Sequence, residues 1–482
     1  MINKTTTGIK VIYYILAILL IAMPIFYQAY INTLFTFDEG YYFIAAHELG
    51  ENGRFFIDFD STSLLRNTKP YLFVFLQVFL GKLFGWNEWS IRLPTVLSSI
   101  VLVSSIFFFI KKISISTLWA FIAASCLLVA PFFIDSHMAF TGDHDIPLTL
   151  FTTLFLFYFY LFLIEEKTNK ADRYIFIACI CAALSILIKG WMILFFVPVS
   201  FFYVLVFNKL RYTFSSIGFW SSILISVVLI LSWYLGREYI DPGYLNAVWN
   251  YEIGRYTDHL HAFEPQWSYY WYVLYDQQLG LWLLGSIPAL YFLITDTDFY
   301  SKRFVLFCIV QAFAYIVILS FSKVKLMWYD APALPLVIIF CSYGITKMIQ
   351  LFYEPFVTKK MYVIVACCAV LFIYPYLGIF KRHFHRFNMD TYGSFMRDKQ
   401  AITLYDVVKS SLYNPHLLFY NQYCSDNFSN KHRIYTTKQI IPVGEKILVC
   451  EPVVLLEINR GYEYLKLDSL GTCLFLQIKK VR

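Results

Sequence analysis

The run Thr36-Phe37-Asp38-Glu39-Gly40-Tyr41-Tyr42 sets two adjacent carboxylates directly after the first membrane-length apolar stretch, residues 9–31. Ionised acids at a bilayer edge are costly and tend to be functional. Asp38 has Phe35, Phe37, Tyr41 and Tyr42 as close sequence neighbours. Such surroundings dehydrate a carboxylate and raise its pKa toward the range of a general base. Glu39 and Tyr42 are candidate supports, although an acid pair at a helix end can also simply face water.

Cations suited to an anionic ligand occur at separate places. Lys69-Pro70 precedes a short apolar stretch, Tyr71 to Phe84. Proline suits the first turn of a helix, and a helix N-terminus attracts phosphate. Lys323 and Lys325 lie in Phe321–Pro332, and Lys189-Gly190 sits in a tight turn where a snorkelling lysine is expected. In Thr141–Pro147, Asp145 before Pro147 marks a helix start, with a second use in orienting a group from the first loop. The loop at 250–270 offers Arg255 for bidentate phosphate contact. There, His259 or His261 with Glu252 is a candidate for a divalent metal, without diagnostic spacing.

These groups need a scaffold, and composition shows which kind. The chain has 482 residues, 59% hydrophobic and 15% charged. Soluble domains hold about 45–50% apolar and about 25% charged residues, so this is a membrane protein. Eleven runs are candidate spans: about 9–31, 91–110, 116–134, 146–164, 174–189, 191–207, 213–235, 269–293, 304–321, 331–350 and 361–379. With the N-terminus inside, every inside connection carries at least two Lys or Arg, which agrees with the positive-inside rule. The net charge of +7 therefore reflects orientation, not nucleic-acid binding. Counting Tyr71–Phe84 as a span would reverse every later loop, so an interfacial helix is expected there.

All the candidate groups then fall on the outer face. The tail from about 380 is polar and holds strand-like runs at Lys446–Cys450 and Cys473–Ile478. An extracytoplasmic α/β domain at 381–482 is expected beside a transmembrane domain at 1–380. Of ten cysteines, seven lie in or near apolar runs and read as small buried hydrophobes. Cys424, Cys450 and Cys473 in the tail can form one disulfide with one left over. No G-x-x-x-x-G-K-[ST] or strand-borne GxGxxG occurs, so ATP-driven transport and dinucleotide chemistry lack their usual phosphate cradles.

Taken together, these stretches resemble the polytopic GT-C glycosyltransferases. The likeness is strongest to the branch containing protein O-mannosyltransferases and bacterial lipid A aminoarabinose transferases. It covers roughly residues 9–350. It rests on the ordered set Asp38-Glu39, Lys69-Pro70, Arg92-Leu93-Pro94, Asp145-x-Pro147, Lys189-Gly190, Glu252-x-x-Arg255-Tyr256, Pro265 to Tyr270, and Lys325 to Pro335. The resemblance implies an all-α polytopic fold of about eleven spans plus interfacial helices. It implies Asp38 as catalytic base, Lys69, Arg255 and Lys325 at the donor phosphate, and Tyr329 in the pocket. It further implies a polyprenyl-phosphate-linked sugar donor, a lipid, glycan or protein acceptor, inversion, and a bacterial inner membrane location.

The aminoarabinose branch carries an arginine three residues after its first-loop aspartate, where this chain has Tyr41. It also carries glutamate before the lysine, where this chain has Thr68. Both differences argue against simply naming lipid A as acceptor or aminoarabinose as donor. The second also weakens that branch's metal assignment. A flippase for lipid-linked sugars, or a polymerase or ligase of lipid-linked glycans, is the alternative. A flippase needs basic residues deep within spans, whereas here the polar clusters gather on one side.

Overall fold

A chain this apolar must satisfy its backbone internally wherever lipid surrounds it, and helices do so. The computed structural model describes residues 2–34, 37–58, 64–114, 116–135, 137–254, 266–353, 372–381, 392, 395–396, 406–409, 415–428, 433–437, 439–470 and 472–482. The first elements are helix α1 (Ile2–Ile31), helix α2 (Phe37–Asn52), a small hairpin of β1 (Phe56–Asp58) and β2 (Leu64–Arg66), and helix α3 (Leu72–Phe84). Then come α4 (Glu88–Ser114), α5 (Thr117–Val129), α6 (Asp145–Ile164) and α7 (Thr168–Lys189). A 3₁₀ turn, Trp191–Phe196, leads into α8 (Val197–Val206), α9 (Leu210–Ser215) and α10 (Ile217–Ile240).

Seven helices among the described residues are long and apolar enough to cross a bilayer. They are α4, α6, α7, α10, Tyr269–Thr295, Phe299–Ser320 and Ala331–Leu351. Shorter apolar helices at Leu16–Ile31, Thr117–Val129 and Trp191–Val206 match three more of the eleven expected runs. Of the last run, 361–379, only residues 372–379 are described, and they are helical. The stretch expected to form an interfacial helix, Tyr71–Phe84, folds as the 13-residue helix α3, which packs against α2 and α4.

Local sequence sets several helix starts. Ser116 Oγ accepts from Trp119 N at 3.2 Å to begin α5, and Ser216 Oγ accepts from Phe219 N at 3.1 Å to begin α10. Asp298 does the same for Ser301 N, at 3.1 Å. These hydroxyls and carboxylates satisfy amides that a first turn leaves unpaired. Helix α6 is the central post, 83% buried within the protein, whereas α10 is only 17% buried and presents its apolar side chains to lipid.

The C-terminal part forms a mixed five-stranded sheet in the order β4-β3-β5-β7-β6. The strands are β3 (Asp406–Lys409), β4 (Ile434–Thr436), β5 (Lys446–Val449), β6 (Tyr462–Leu470) and β7 (Cys473–Val481). Strand β3 runs parallel to β4 and β5, while β7 is antiparallel to β5 and β6. Cys450 and Cys473 are disulfide-bonded where β5 ends and β7 begins, and Cys424 stays free and buried. The described cysteines of the apolar runs, Cys126, Cys179, Cys181, Cys308 and Cys341, are buried and free.

The helix Pro415–Phe428 docks this sheet onto α2. Phe419 meets Phe43 of α2 edge-on, with ring centroids 4.4 Å apart. Tyr420 OH accepts from Leu34 N at 2.9 Å and donates to Glu88. His47 Nε2 lies 3.1 Å from Asp426 Oδ2.

Helix Leu334–Tyr353 meets Gly285 and Ala289, at the start of helix Ser286–Thr295, through Gly344. A Cβ on Gly344 would lie 2.2 Å from Gly285 O and 2.4 Å from Ala289 N. Backbone cannot yield as a flexible side chain can, and small residues are what allow such approach in a membrane. Gly344→Ala is therefore expected to cost about 1–3 kcal/mol by overpacking. Thermal unfolding in detergent, compared with Gly378→Ala, where a Cβ meets open space, would check this.

Candidate active site

Helix α2 begins at Phe37, so Asp38 and Glu39 occupy its first turn. That position suits acids by charge, because the N-terminal end of a helix is positive. The two side chains part company. Glu39 is fully buried against Arg92 of α4, with Arg92 Nε donating to Oε1 at 2.7 Å and Nη2 to Oε2 at 3.2 Å. Glu39 Oε1 also accepts from Gly142 N at 2.8 Å. Glu39 is thus a structural support, not a water-facing acid.

Asp38 faces a cavity of about 770 Å³ with its side chain 37% exposed. The loop between α5 and α6 forms the opposite wall. Thr95 Oγ1 donates to Asp143 O at 2.8 Å and Ser99 Oγ to Ala139 O at 3.1 Å, which ties that loop to α4. It carries His137, whose Nδ1 lies 3.2 Å from Asp143 Oδ2 and 3.8 Å from Asp38 Oδ2. His137 has a left-handed backbone, φ 62°. A non-glycine residue pays about 1–2 kcal/mol for that conformation, and such strain collects at functional sites. Its ring stacks on Trp328, with centroids 3.6 Å apart and planes at 14°.

Desolvation and the Asp143 charge raise the Asp38 pKa, while His137 and Lys189 oppose the rise. Burial works against a charged His137, but Asp143 and Asp38 outweigh it and its pKa is raised. His144, packed edge-on against Tyr42 at 3.9 Å between centroids, is pushed well down by burial and then by Lys189. His144 lines the cavity, and His137 sits behind it in the same loop beside Asp143 and Asp38.

Lys69 and Lys189 mark the other end of the cavity, and both are ion-paired. Lys69 Nζ bonds Glu252, whose other oxygen accepts from Thr68 Oγ1 at 2.6 Å. Lys189, at the end of α7, is buried rather than snorkelling. It pairs with Asp145 and lies 5.4 Å from the Tyr329 ring centroid. Asp145 is the first residue of α6, but its side chain caps nothing. It pairs with Lys189 on the neighbouring helix and faces the cavity.

A second cavity of about 570 Å³ adjoins the first. Thr68, Lys69, Lys189, Glu252 and Tyr329 line both. Beyond this shared wall, the first cavity holds Asp38, Asp143 and Asp145, and the second runs along Trp191, Leu194, Phe195, Tyr234, Ile318 and Phe321. Two chemically unlike compartments thus meet at two lysines and a tyrosine.

The loop carrying Tyr329 is pinned from behind. Gln278 Nε2 donates to Asp330 Oδ1 at 2.6 Å and to Met327 O at 3.0 Å, and Tyr315 OH donates to Tyr329 O at 2.8 Å. Burial lifts the Asp330 carboxyl to about 7 against the lowering effect of Gln278.

Of the candidates read from sequence, Asp38, Tyr42, Lys69, Asp145, Glu252 and Tyr329 line the first cavity. Lys325 does not line either cavity. It is buried, and its Nζ donates to Ser322 O at 2.7 Å within its own loop, where a carbonyl left by the preceding helix end takes the ammonium. Arg255, His259 and His261 lie outside the described residues. The oxygens of Glu252 are engaged by Thr68 and Lys69. Among the described residues, Asp38, His137 and Asp143 form a cluster able to share a cation, with ligand atoms within 4.8 Å of one another. His137 was not legible as a site residue, because a lone histidine in a short loop has no spacing signal. The dense Asp143-His144-Asp145 triplet between apolar runs was the nearest clue.

Known proteins carry related architecture. A family model described as dolichyl-phosphate-mannose-protein mannosyltransferase matches residues 68–234, a stretch containing Lys69, Asp143, Asp145 and Lys189 but not Asp38. No curated protein matches the chain in sequence. ArnT from Cupriavidus metallidurans bound to undecaprenyl phosphate superposes with a TM-score of 0.68 at 16% identity, over 96% of this chain and 98% of that one. Its apo state gives 0.67, over 98% of each. The apo oligosaccharyltransferase from Archaeoglobus fulgidus gives 0.51 at 14% identity, over 84% of this chain and 64% of that one. The chain has the GT-C fold. Its architecture is ArnT-like over nearly the whole length, including the small C-terminal sheet domain.

Arg92→Met would leave Glu39 buried without its partner, which is expected to cost about 3–5 kcal/mol. Unfolding of the purified protein in detergent would measure it, with Lys170→Met at an exposed surface position as the neutral comparison.

Proposed function

We propose that this protein is an integral membrane glycosyltransferase that moves one sugar from a polyprenyl-phosphate donor to an acceptor hydroxyl, with inversion. The reading is carried by the shared wall: an acidic compartment and an apolar one meet at Lys69, Lys189 and Tyr329. The apolar compartment suits a prenyl chain, the lysines suit its phosphate, and the acidic compartment suits the hydroxyls of sugar and acceptor. ArnT from Cupriavidus metallidurans, which shares the fold, is bound to undecaprenyl phosphate.

In this mechanism Asp38 accepts the acceptor's hydroxyl proton as that oxygen attacks the anomeric carbon. The bond from that carbon to the phosphate oxygen breaks with its electron pair, and polyprenyl phosphate leaves from the opposite face of the sugar. Phosphate is already a tolerable leaving group, so cations that neutralise its developing charge replace a strong general acid. One carboxylate base with two lysines fits this division better than the paired acids of an inverting hydrolase. His137 lowers the Asp38 pKa and so keeps a dehydrated carboxylate available as a base. A divalent cation held by Asp38, His137 and Asp143 would supply further positive charge beside the acceptor oxygen.

The disulfide between Cys450 and Cys473 belongs to an oxidising compartment. With the basic loops on the opposite face, it supports an extracytoplasmic site in a bacterial cell membrane.

Asp38→Asn is expected to lower transfer about 10²–10⁴-fold without loss of lipid-phosphate binding. Release of sugar from a radiolabelled polyprenyl-phosphate donor measures this, and unchanged turnover would end the base assignment. The base form of Asp38 exists above its raised pKa, so activity should rise with pH through a limb above the usual carboxylate value of 3.8. His137→Asn removes a charge that lowers this pKa, so the limb should move to higher pH. A profile that stays in place would separate His137 from Asp38.

A further inference from the structure

Both lysines at the shared wall are already neutralised, but by carboxylates of different standing. Asp145 is buried on the central post α6, with its side chain 4% exposed. Glu252 lies in a widened π-helical turn, Trp249–Ile253, with its side chain 16% exposed. Its two oxygens take one hydroxyl donor, Thr68, and one ammonium donor, Lys69. Two oxygens of a phosphate would take the same pair. The π-turn is an over-wide ring that can tighten by one residue, and such turns recur at functional sites.

The chemistry proposed above changes the charge of the bound phosphate. The donor is a phosphodiester with one negative charge. Cleavage of the carbon–oxygen bond leaves a phosphomonoester, whose second ionisation, near pH 6, brings it to about −1.5 to −2. Without a counterweight, the spent lipid would hold Lys69 and Lys189 more tightly than the donor does and would stall the site.

We propose that Glu252 is a built-in competitor for the phosphate position at Thr68 and Lys69, which the donor displaces on entry and which expels the spent polyprenyl phosphate after transfer. This rests on the donor reading above. Glu252 repels the monoester more than the diester because repulsion scales with charge, and it offers Lys69 and Thr68 a replacement partner as the product departs. Glu252 is thus a turnover-determining residue rather than a metal ligand.

The test is direct binding to the full-length protein in detergent, read by the fluorescence of Trp191 and Trp328, which line the cavities. The probes are dodecyl phosphate, a monoester, and methyl dodecyl phosphate, a diester. Glu252→Gln should tighten the monoester at least fivefold and the diester by less, and Glu252→Ala should do the same if Glu252→Gln fails to fold. Lys69→Ala should weaken both esters tenfold or more. A purely supporting Glu252 would give the opposite sign, because losing it would disorder Lys69 and weaken binding. Weaker or unchanged monoester binding in the Glu252 variants, or equal tightening of both esters, overturns the proposal while the Lys69 effect leaves the donor reading intact. No ester binding to the unaltered protein, or none of the expected loss in Lys69→Ala, overturns the donor reading and this proposal with it.

Discussion

The Arg92 guanidinium is the constraint on which the site depends. It has five N–H donors, and the structure gives each a partner: Glu39 Oε1 and Oε2, Ala29 O at 2.8 Å, Asn32 O at 2.7 Å and Thr33 O at 2.7 Å. A fully buried guanidinium is tolerable only when its hydrogen-bonding capacity is met in this way. The arrangement ends α1 by taking its last carbonyls and starts α2 by holding Glu39. Gly142 joins through the same carboxylate, so three separate stretches are fixed at one point. Asp38 is adjacent to Glu39 and is aimed by default. Its carboxylate faces the cavity, with His137 Nδ1 3.8 Å away.

The charge pattern of the site follows from what each part must hold. The first cavity is lined by four carboxylates, Asp38, Asp143, Asp145 and Glu252, against two lysines, Lys69 and Lys189. Such an excess of acid is a poor general anion site. It becomes reasonable if phosphate touches only the shared wall while neutral hydroxyls fill the rest. Each acid has its own cation close by, with His137 serving Asp143 and Asp38, Lys189 serving Asp145 and Lys69 serving Glu252. Unpaired ions would be too costly in so dry a place. The pairing also means that a ligand binds by exchanging partners rather than by filling a charged void.

Sequence patterns gave the scaffold and part of the site, for identifiable reasons. Apolar run length is a strong signal, so most spans were legible, as was the short helix α3. The disulfide was legible only as one pair among three cysteines. Local signals mislead where a side chain reaches another element. Lys189 read as a snorkelling residue because sequence could not show Asp145 on the next helix. Glu39 read as a companion to Asp38, although Arg92, 53 residues away, decides its role. Lys325 read as a phosphate ligand because it violates the charge bias, and in the structure its Nζ donates to Ser322 O within its own loop. Long-range pairing of charges is what separates these residues, and no local period encodes it.

The apolar compartment bears on where recognition must lie. Trp191, Leu194 and Phe321 are well exposed on the protein surface and would face acyl chains in a bilayer. A prenyl chain gains little by moving from lipid onto such a surface, since both are apolar and no water is released. On the proposed donor reading, affinity would come from the headgroup, at the wall formed by Lys69, Lys189, Thr68 and Tyr329. Under that reading the membrane would present donor in quantity while a few polar contacts decided which headgroup stays. It also explains why the polar wall is elaborate and the lipid groove plain: discrimination among lipid-linked sugars cannot be made along a tail that they share.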